Sequence, residues 1–420
     1  MPIQRVHVEN FKSFSEFDVD LSQFNIVIGS NAAGKSNFIA VFRFLRDIAT
    51  LGIVNAIALQ GGAEYIRNTK IGTDRDLIVK VTYLPDPTVF AETGREDSRP
   101  PDMKNCESSY EFALRFTGSG DEFVITKDQL VIVCDVTACE HRDGNMAGTA
   151  PVGRGEIIVS NINGEIAYEV RIPHGCTLHP DEIIPAFFRN KRLPKKTLLL
   201  ETMYGSPLPH LEKFFDRIAV YDLDPKLPKK GAVITGRREL EENGSNLALV
   251  VKKLIEDPEK KRKFSNLLRD ILPFVEDFSV QKFMDVSLIL TLRERYAKGR
   301  DLPAFSLSDG TITIFGLIIA LYFEEKPFII IEEPVRHIHP FLVARAMGMM
   351  KEASRNKQIM ITTHSTEVVK HAFLNDILLI SRDSGGFSIV SRPSDKEEVR
   401  TFLENEIGIE ELYVQNLLGM

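Results

Sequence analysis

Cysteine is scarce in this sequence, and long hydrophobic runs are absent. Four cysteines among 420 residues are too few for the disulfide framework of a small secreted protein. The longest apolar run covers residues 314–323 and stops before Glu324, short of the roughly 20 residues that span a bilayer. The first residues also lack the apolar core of a signal peptide. We therefore expect a reduced, cytoplasmic protein that does not associate with membranes.

The sequence also lacks an excess of positive charge. Its 52 basic and 59 acidic residues give a formal net charge of -7, which argues against non-specific nucleic-acid binding by the whole surface. A local basic groove on an acidic protein is not excluded. The hydrophobic fraction of 43% is that of an ordinary globular protein. The chain is long enough for two units that each bury a core.

Apolar patterns typical of buried strands recur at both ends of the chain. They lie at residues 3–9, 24–28, 77–84, 328–331 and 358–362. Helix-like spacing over 36–51 and 341–354 places a helix after two of these strands, which is the rhythm of a sheet flanked by helices. We therefore predict an α/β head formed by both chain ends, residues 1–85 plus 300–420.

The middle of the chain has a different pattern. Short apolar runs between turn signals occupy residues 110–172 and predict a mostly antiparallel β insertion over 86–180. Helical patterning follows, most clearly at 246–255 and 260–272, and predicts a helical insertion over 181–299.

One glycine-rich segment carries a complete nucleotide-binding motif. Residues 29–36 (GSNAAGKS) fit the pattern G-x-x-x-x-G-K-[ST] between a predicted strand and a predicted helix. Glycine lets the backbone wrap around phosphates, and the helix N-terminus adds partial positive charge. The lysine of this motif reaches the β- and γ-phosphates, and its serine hydroxyl binds Mg²⁺. The segment therefore predicts binding of ATP with Mg²⁺ through Gly29, Gly34, Lys35 and Ser36.

A later strand ends in two carboxylates that suit the second half of such a site. The apolar run 328–331 leads directly into Glu332 and Glu333. In a Walker B pair one carboxylate joins the Mg²⁺ shell, and the next polarises the attacking water. Alone, the segment equally fits a buried strand that leaves the core through a charged turn.

Two more segments acquire meaning only in this context. The run 359–362 ends at Thr363 and His364, a strand end that would lie beside the γ-phosphate. Upstream, Ser308 and Gly310 precede an apolar helix, an arrangement that alone fits an ordinary helix N-cap.

Seven motifs together have a known counterpart. They are residues 9–14 (ENFKSF), Asn31 with 34–37 (GKSN), 243–247 (NGSNL), 307–311 (LSDGT), 332–334 (EEP), 338–340 (IHP) and 362–365 (TTHS). In this order they resemble the ABC-type ATPase heads of the RecF and SMC class. Within that class, the chain resembles the predicted ATPases of the AAA_21 type, which are related to the ATPase domain of the OLD family. The resemblance covers the whole chain and is loose over residues 85–215.

The resemblance implies roles that spacing does not assign. Asn31 and Asn37 would belong to the nucleotide-binding loop. Ser308 and Gly310 would form a signature motif that touches the γ-phosphate of ATP held by a second subunit. Two heads would then sandwich two nucleotides, so ATP binding would drive formation of a homodimer or a higher homo-oligomer. The remaining roles go to the Mg²⁺ ligand Glu332, the catalytic base Glu333 and the switch histidine His364.

Two features fit the family pattern less well. Residues 335–337 (VRH) replace the more usual acidic and Asn or Gly residues in a loop expected at the dimer interface. Gln60 is the nearest candidate for the glutamine of the Mg²⁺ site, and it fits a surface position equally well.

Six cysteines and histidines raise the question of a metal site in the β insertion. They are Cys134, Cys139, His141, His174, Cys176 and His179. Their spacing is not that of a standard zinc motif, so ordinary core or surface positions fit them better.

Basic residues form clusters within 189–196, 226–238 and 252–263. They would either line a phosphate groove for DNA or form solvated helix faces. We favour solvated faces because acidic residues are interspersed among them.

Three functions fit these features. The first is an ATP-driven dimerising switch that controls a separate effector, such as a nuclease or toxin in prokaryotic anti-phage defence, where related heads occur. The short segment after His364 leaves no room for a nuclease domain, so we expect the effector to be another protein. The second is a repair ATPase that clamps DNA, as RecF does. The third is a scaffold that binds nucleotide without hydrolysing it.

Overall fold

The computed structural model describes most of the chain. The described residues are 2–84, 89–90, 102–117, 122–142, 145–171, 173, 192–202, 211–283, 286–297, 299–404 and 408–419.

The strands are, in chain order, β1 (Ile3–Phe11), β2 (Phe14–Asp20), β3 (Phe24–Ile28), β4 (Leu77–Tyr83), β5 (Val89–Phe90), β6 (Asp102–Phe116), β7 (Phe123–Arg142), β8 (Asn145–Ile162), β9 (Glu165–Arg171), β10 (Ile218–Tyr221), β11 (Ala232–Val233), β12 (Val275–Phe283), β13 (Ser287–Glu294), β14 (Asp301–Pro303), β15 (Phe328–Glu332), β16 (Gln358–Thr363), β17 (Ile377–Arg382) and β18 (Ser388–Ser391). The α-helices are α1 (Lys35–Leu51), α2 (Ile53–Leu59), α3 (Ala63–Ile66), α4 (Leu211–Phe215), α5 (Leu247–Ile255), α6 (Pro258–Ile271), α7 (Asp309–Tyr322), α8 (Pro340–Ala353), α9 (Thr366–Lys370), α10 (Glu397–Glu404) and α11 (Ile409–Val414).

The chain folds into two compact units, each made of three chain segments. The first unit comprises Met1–Leu21, Ser36–Ile218 and Arg382–Val390, and the second comprises Ser22–Lys35, Ala219–Ser381 and Ser391–Met420. Each unit thus contains residues from both ends of the chain. The division into a head and two insertions stays a prediction.

The first unit is built on a mostly antiparallel sheet in the order β18-β2-β1-β4-β6-β7-β8-β9. Alternate residues of β4 are buried, as expected of a sheet with one covered face. On that face, Phe17 lies 4.8 Å from Phe14 and 5.3 Å from Phe38 of α1, measured between ring centroids. Each such pair adds about 0.5–1.5 kcal/mol to the free energy of apolar burial. The antiparallel strands predicted within 110–172 are confirmed.

One buried asparagine near the end of β1 holds the segment that follows α3. Asn10 has a φ of 52° and is fully buried. Its side-chain amide donates to the carbonyl oxygens of Gly72 and Arg75 at 3.1 and 2.8 Å, and its Oδ1 accepts from the N–H of Asn68 at 3.0 Å. Asparagine tolerates this left-handed backbone better than most residues. Its position in the ENFKSF motif therefore has a structural reason.

The second unit contains a buried sheet in the order β10-β15-β16-β3-β17. Strand β3 pairs in parallel with β16 and β17, and β15 pairs in parallel with β16. Every residue of β3 and of β16 is buried, which explains why apolar residues predominate in both strands. The register pairs Glu332 with Thr362 and Thr363 with Ile28. The carboxyl ends of β15, β16 and β3 therefore meet at one edge.

The predominance of helix predicted for 181–299 is only partly right. Helices α5 and α6 lie where the clearest patterns predicted them. The same segment also contains the antiparallel pair β12 and β13. Strand β13 is a continuous apolar run that periodicity cannot distinguish from a buried helix. Phe278 of β12 packs against Phe264 of α6 and Phe315 of α7, at 5.0 and 5.6 Å between centroids.

None of the helices in the described ranges combines the length and the apolar character that a membrane span requires.

Candidate functional site

The glycine-rich loop leaves the end of β3 and enters α1 at Lys35. Gly29 is buried with a φ of 156°, and a Cβ there would lie 2.2 Å from the carbonyl oxygen of Ile380. A side chain at Gly29 would therefore push the loop away from β17. Ala32 and Gly34 also have positive φ, at 61° and 122°. Backbone of this kind turns N–H groups toward one side and forms anion-binding concavities.

Lys35 folds back over this loop. Its Nζ donates to the carbonyl oxygens of Gly29 and Ser30, at 2.7 and 3.1 Å. Burial lowers the pKa of the Lys35 ammonium, and the carboxylate of Glu333 acts in the opposite direction. The acceptors that hold the cation are neutral, so anionic phosphate oxygens can replace them.

Glu333 follows β15 directly and is oriented by the end of β16. Its N–H donates to the carbonyl oxygen of Thr362 at 3.0 Å. One carboxylate oxygen lies 2.6 Å from Nδ1 of His364, and the other accepts from the hydroxyl of Thr363 at 3.3 Å. Both oxygens of the carboxylate therefore have a defined direction.

The backbone of Glu333 carries strain. Its φ of 45° lies in the left-handed region, which costs a residue other than glycine about 1–3 kcal/mol. The N–H bond to Thr362 and a bond from the N–H of Arg336 to the carbonyl oxygen of Glu333 hold it there. The side chain of Glu333 is 20% exposed and that of His364 is 56% exposed. Such strain clusters at functional sites.

The structure adds a residue that the sequence does not reveal. The hydroxyl of Tyr413, in α11, donates to the carbonyl oxygen of Gly29 at 3.3 Å. Burial raises the pKa of Tyr413, and the charge of Glu333 raises it further. Because 384 positions separate Tyr413 from Gly29, no local pattern could have predicted this contact.

The start of α7 carries the predicted signature motif. Ser308 caps the helix by accepting from the N–H of Thr311 at 3.1 Å, as the N-cap interpretation expects. A Cβ at Gly310 would lie 2.6 Å from the carbonyl oxygen of His337. Gly310 thus allows this turn to pack closely against the loop that follows Glu333.

Three of the predicted site residues belong to the first unit. Ser36 is exposed at the start of α1, and the amide of Asn37 donates to the hydroxyl of Ser13 at 2.8 Å. Gln60 ends α2, where its backbone oxygen accepts from Nζ of Lys12 at 3.4 Å. Burial lowers the pKa of Lys12.

A cavity of about 530 Å³ lies in the first unit between these residues. It is lined by Asn37, Gln60, Lys12, Ser13, Arg382, Phe387 and neighbouring residues of 61–70. Its lining combines basic, neutral polar and aromatic side chains.

The loop and the strand ends have the donor types that ATP with Mg²⁺ requires. Positive-φ backbone and the Lys35 ammonium suit phosphate oxygens. The hydroxyl of Ser36 and the half-buried carboxylate of Glu332 are the hard oxygen ligands that Mg²⁺ prefers. The residues therefore fit the group, although their individual roles stay predictions.

The cysteine and histidine group is described only at Cys134, whose side chain is fully buried in β7. Burial raises the pKa of its thiol to about 12, which disfavours the thiolate that zinc binds. Cys139 and His141 also lie in β7, but their side chains are outside the described part of the structure, as are the whole residues His174, Cys176 and His179.

Several cations of the basic clusters have partners within their own unit. Lys229 lies 2.5 Å from a carboxylate oxygen of Asp309. Lys261 lies 3.9 Å from Asp277, and Nζ of Lys263 lies over the rings of Tyr322 and Phe323. Residues 189–191 of the first cluster lie outside the described residues.

Two family models match this chain. AAA_15, an AAA ATPase domain family, matches residues 1–140. AAA_21, an AAA domain family whose description also names the AbiEii toxin and the type IV TA system, matches residues 168–370. The matched ranges include the glycine-rich loop, the start of α7 and the ends of β15 and β16.

Among solved structures, the chain is similar to heads of SMC proteins. An SMC head bound to the C-winged helix domain of ScpA has 13% identity over 93% of this chain and 98% of that chain, with a TM-score of 0.48. The head from Thermotoga maritima has 13% identity over 93% and 99%, with a TM-score of 0.43. A head with an extended coiled coil bound to the C-terminal domain of ScpA, from Pyrococcus furiosus, has 13% identity over 96% and 99%, with a TM-score of 0.43. No match is found among curated proteins.

Proposed function

We propose that this chain, which matches the AAA_15 family over residues 1–140 and the AAA_21 family over residues 168–370, is an ABC-type P-loop ATPase of the RecF and SMC class that hydrolyses ATP as a dimerising switch. The observation that carries the proposal is the contact between Glu333 and His364 at the ends of adjacent parallel strands. These strand ends share an edge with β3, from which the glycine-rich loop departs. A carboxylate held beside a phosphate-binding loop is the arrangement that water activation needs.

Each residue has a definite task in this proposal. Lys35 leaves the loop carbonyls and binds phosphate oxygens, and Ser36 and Glu332 are each predicted ligands of Mg²⁺. Mg²⁺ would neutralise charge on the phosphates. Glu333 accepts a proton from the attacking water. The contacts with His364 and Thr363 fix the orientation of the Glu333 carboxylate.

Two exposed aromatic residues in the segments that carry the signature motif and α8 support a second copy of the chain as the partner. Phe305 is 58% exposed three residues before Ser308, and Phe341 is 73% exposed at the start of α8. Aromatic side chains in an exposed position are enriched at protein interfaces. In the proposed dimer, Ser308 and Gly310 contact ATP bound by the other copy.

The proposed output is control of a separate effector. The description of AAA_21 names a toxin and a toxin–antitoxin system, which supports a place in such a system or in anti-phage defence, and in our proposal the effector is another protein such as a toxin or nuclease. Lys229 and Lys261 each lie near a carboxylate of their own unit, Asp309 and Asp277 respectively. These contacts favour solvated faces over a DNA-binding groove as the role of the basic clusters. We therefore prefer the switch to a DNA clamp.

Hydrolysis is tested by replacing Glu333 with glutamine. The amide keeps the shape of the side chain but cannot accept the proton, so turnover should fall by about 10²- to 10⁴-fold. Binding of MgATP should persist. The measurement is phosphate release at saturating MgATP, together with the dissociation constant for MgATP.

The matched control is Glu367→Gln. Glu367 of α9 also contacts a histidine, since its carboxylate lies 3.2 Å from Nε2 of His371. The Glu367→Gln substitution should leave turnover unchanged. Turnover by the Glu333→Gln variant at the wild-type rate would refute the role of Glu333. A wild-type protein that binds MgATP with no turnover would support the scaffold instead.

A further inference from the structure

The last helix of the chain reaches the nucleotide-binding loop. Leu412 of α11 is fully buried in the core of the second unit, together with Val368 and Val369 of α9. This packing leaves Tyr413 half-buried, with its hydroxyl 3.3 Å from the carbonyl oxygen of Gly29. Helix α9 begins just after His364. Helix α11 thus contacts both the glycine-rich loop and helix α9, which follows His364.

The carbonyl oxygen of Gly29 accepts hydrogen bonds from two donors, and one of these donors, Lys35, is also expected to bind phosphate. Nζ of Lys35 donates at 2.7 Å, and the hydroxyl of Tyr413 donates at 3.3 Å. The lysine of a P-loop contacts the phosphates of bound nucleotide. Gly29 lies so close to β17 that a Cβ on it would be 2.2 Å from the carbonyl oxygen of Ile380, so little space surrounds this part of the loop. A buried carbonyl that loses its only donor has a substantial free-energy cost.

We infer that Tyr413 is a positioning residue of the nucleotide site, which keeps the Gly29 carbonyl hydrogen-bonded when Lys35 moves to the phosphates. The inference rests on the proposed function, since it requires that the loop bind nucleotide. Tyr413 contacts the loop backbone and leaves the phosphates to Lys35. Burial and the charge of Glu333 raise the pKa of Tyr413, so its hydroxyl remains a donor at neutral pH.

The inference predicts that removal of the Tyr413 hydroxyl weakens nucleotide binding but leaves the stability of the nucleotide-free protein unchanged. Without nucleotide, Lys35 still satisfies Gly29 when the Tyr413 hydroxyl is removed. With nucleotide, Tyr413→Phe leaves the carbonyl without either donor. The dissociation constant for MgADP should therefore rise about three- to tenfold, the effect of one lost hydrogen bond. The unfolding temperature of the nucleotide-free protein should stay unchanged, because the ring still packs.

Both quantities are measured on the full chain, by calorimetric titration with MgADP and by thermal unfolding without nucleotide. Tyr322→Phe is the matched control, because it removes a hydroxyl that donates to the carbonyl oxygen of Met349 at 3.2 Å in the same unit. Tyr322 lies in α7 and has no contact with Gly29 among the described hydrogen bonds. Its replacement should leave the MgADP dissociation constant unchanged.

Three outcomes would overturn the inference, and they are distinguishable. If Tyr413→Phe binds MgADP as tightly as wild type, the hydroxyl has no role in binding. If it lowers the unfolding temperature of the free protein and leaves affinity intact, Tyr413 only packs. If wild type itself does not bind MgADP, the proposed function fails together with the inference.

Discussion

At the scale of single residues, the predicted signature motif contains an unexpected charge. Asp309 stands between Ser308 and Gly310, in the turn proposed to face a phosphate of the other copy. A hydrogen bond from Lys229 at 2.5 Å lowers the pKa of Asp309, so the carboxylate is ionised at neutral pH. Near an anionic phosphate, an uncompensated carboxylate would repel the ligand. Lys229 supplies the compensating charge.

This pairing predicts a rescue experiment. Lys229→Met should weaken the ATP-dependent dimer by about tenfold or more, because like charges at an interface are costly. Adding Asp309→Asn should restore most of the loss, since the repelling charge disappears as well. The measurement is sedimentation of both variants with MgATP, each in the Glu333→Gln background.

Lys326→Met is the control for this experiment. It removes a lysine that lies 2.9 Å from Glu239 in the same unit and should leave the dimer intact. A double variant as weak as Lys229→Met alone would contradict the compensation argument.

How far the sequence predicts the site depends on which residues are considered. Glu333 and His364 each follow an apolar strand, and the ends of neighbouring parallel strands meet, so their proximity is readable from pattern. The strain at Glu333 is not, because φ depends on tertiary contacts. Tyr413 is out of reach for a similar reason: its partner is distant in sequence, and only packing of α11 brings the two together.

At the scale of elements, one buried carboxylate joins three strands to a loop. Asp128 of β7 is 2% exposed and accepts from the hydroxyl of Tyr110 in β6 and the amide of Asn161 in β8, both at 2.8 Å. It also accepts from the N–H of Leu199 at 2.8 Å. Burial raises the pKa of Asp128 to about 7, and Glu201 adds to the effect. The carboxylate is a satisfied acceptor in a place where its charge is costly.

The raised pKa predicts a stability that falls as pH rises. An aspartate in the unfolded chain has a pKa of about 3.9, so between about pH 4 and pH 7 the folded state binds the extra proton. Stability should therefore be lost across this range, by about 1.4 kcal/mol for each unit of difference in pKa. Asp128→Asn should flatten this dependence, since an amide keeps acceptor and donor groups without titrating. Urea unfolding at pH 5 and pH 8 measures it.

Asp135→Asn is the control on the same strand. Its side chain is 56% exposed beside Arg154, so its replacement should leave the slope of stability against pH unchanged. An Asp128→Asn protein that retains the wild-type slope would place the titrating group elsewhere, with the nearby Glu201 first in line.

The strands of the parallel sheet are easier to predict from the sequence than the antiparallel pair β12 and β13. Strands β3, β15 and β16 are short, mainly apolar segments between polar turns, so length and flanks identify them. The sequence pattern does not predict the pair β12 and β13. Buried and exposed residues alternate only weakly along β12, and the buried run of β13 resembles a buried helix segment. Their pairing depends on contacts that no single segment encodes.

At the scale of the whole molecule, nucleotide should control assembly. In the proposed dimer, each ATP touches the glycine-rich loop of one copy and Ser308 of the other. Ser308→Arg would place a large cation where the second copy must approach, while it leaves Lys35 and Glu333 of the same chain untouched. This variant should bind MgATP as tightly as its parent and remain a monomer. In the Glu333→Gln background, the parent should be a dimer with MgATP and a monomer without it.

The decisive comparison is between affinity and assembly in the same sample. Asn356→Arg adds the same charge to an exposed turn just before β16, at the opposite end of the strand from His364, and should dimerise like the parent. Light scattering with size exclusion gives the mass, and titration gives the dissociation constant. Because Ser308 is exposed and its side chain caps α7 through the hydroxyl, the substitution should cost about 0.5–2 kcal/mol of helix capping. A Ser308→Arg protein that still dimerises with MgATP would exclude the sandwich, whereas one that loses affinity would place Ser308 in its own copy's site.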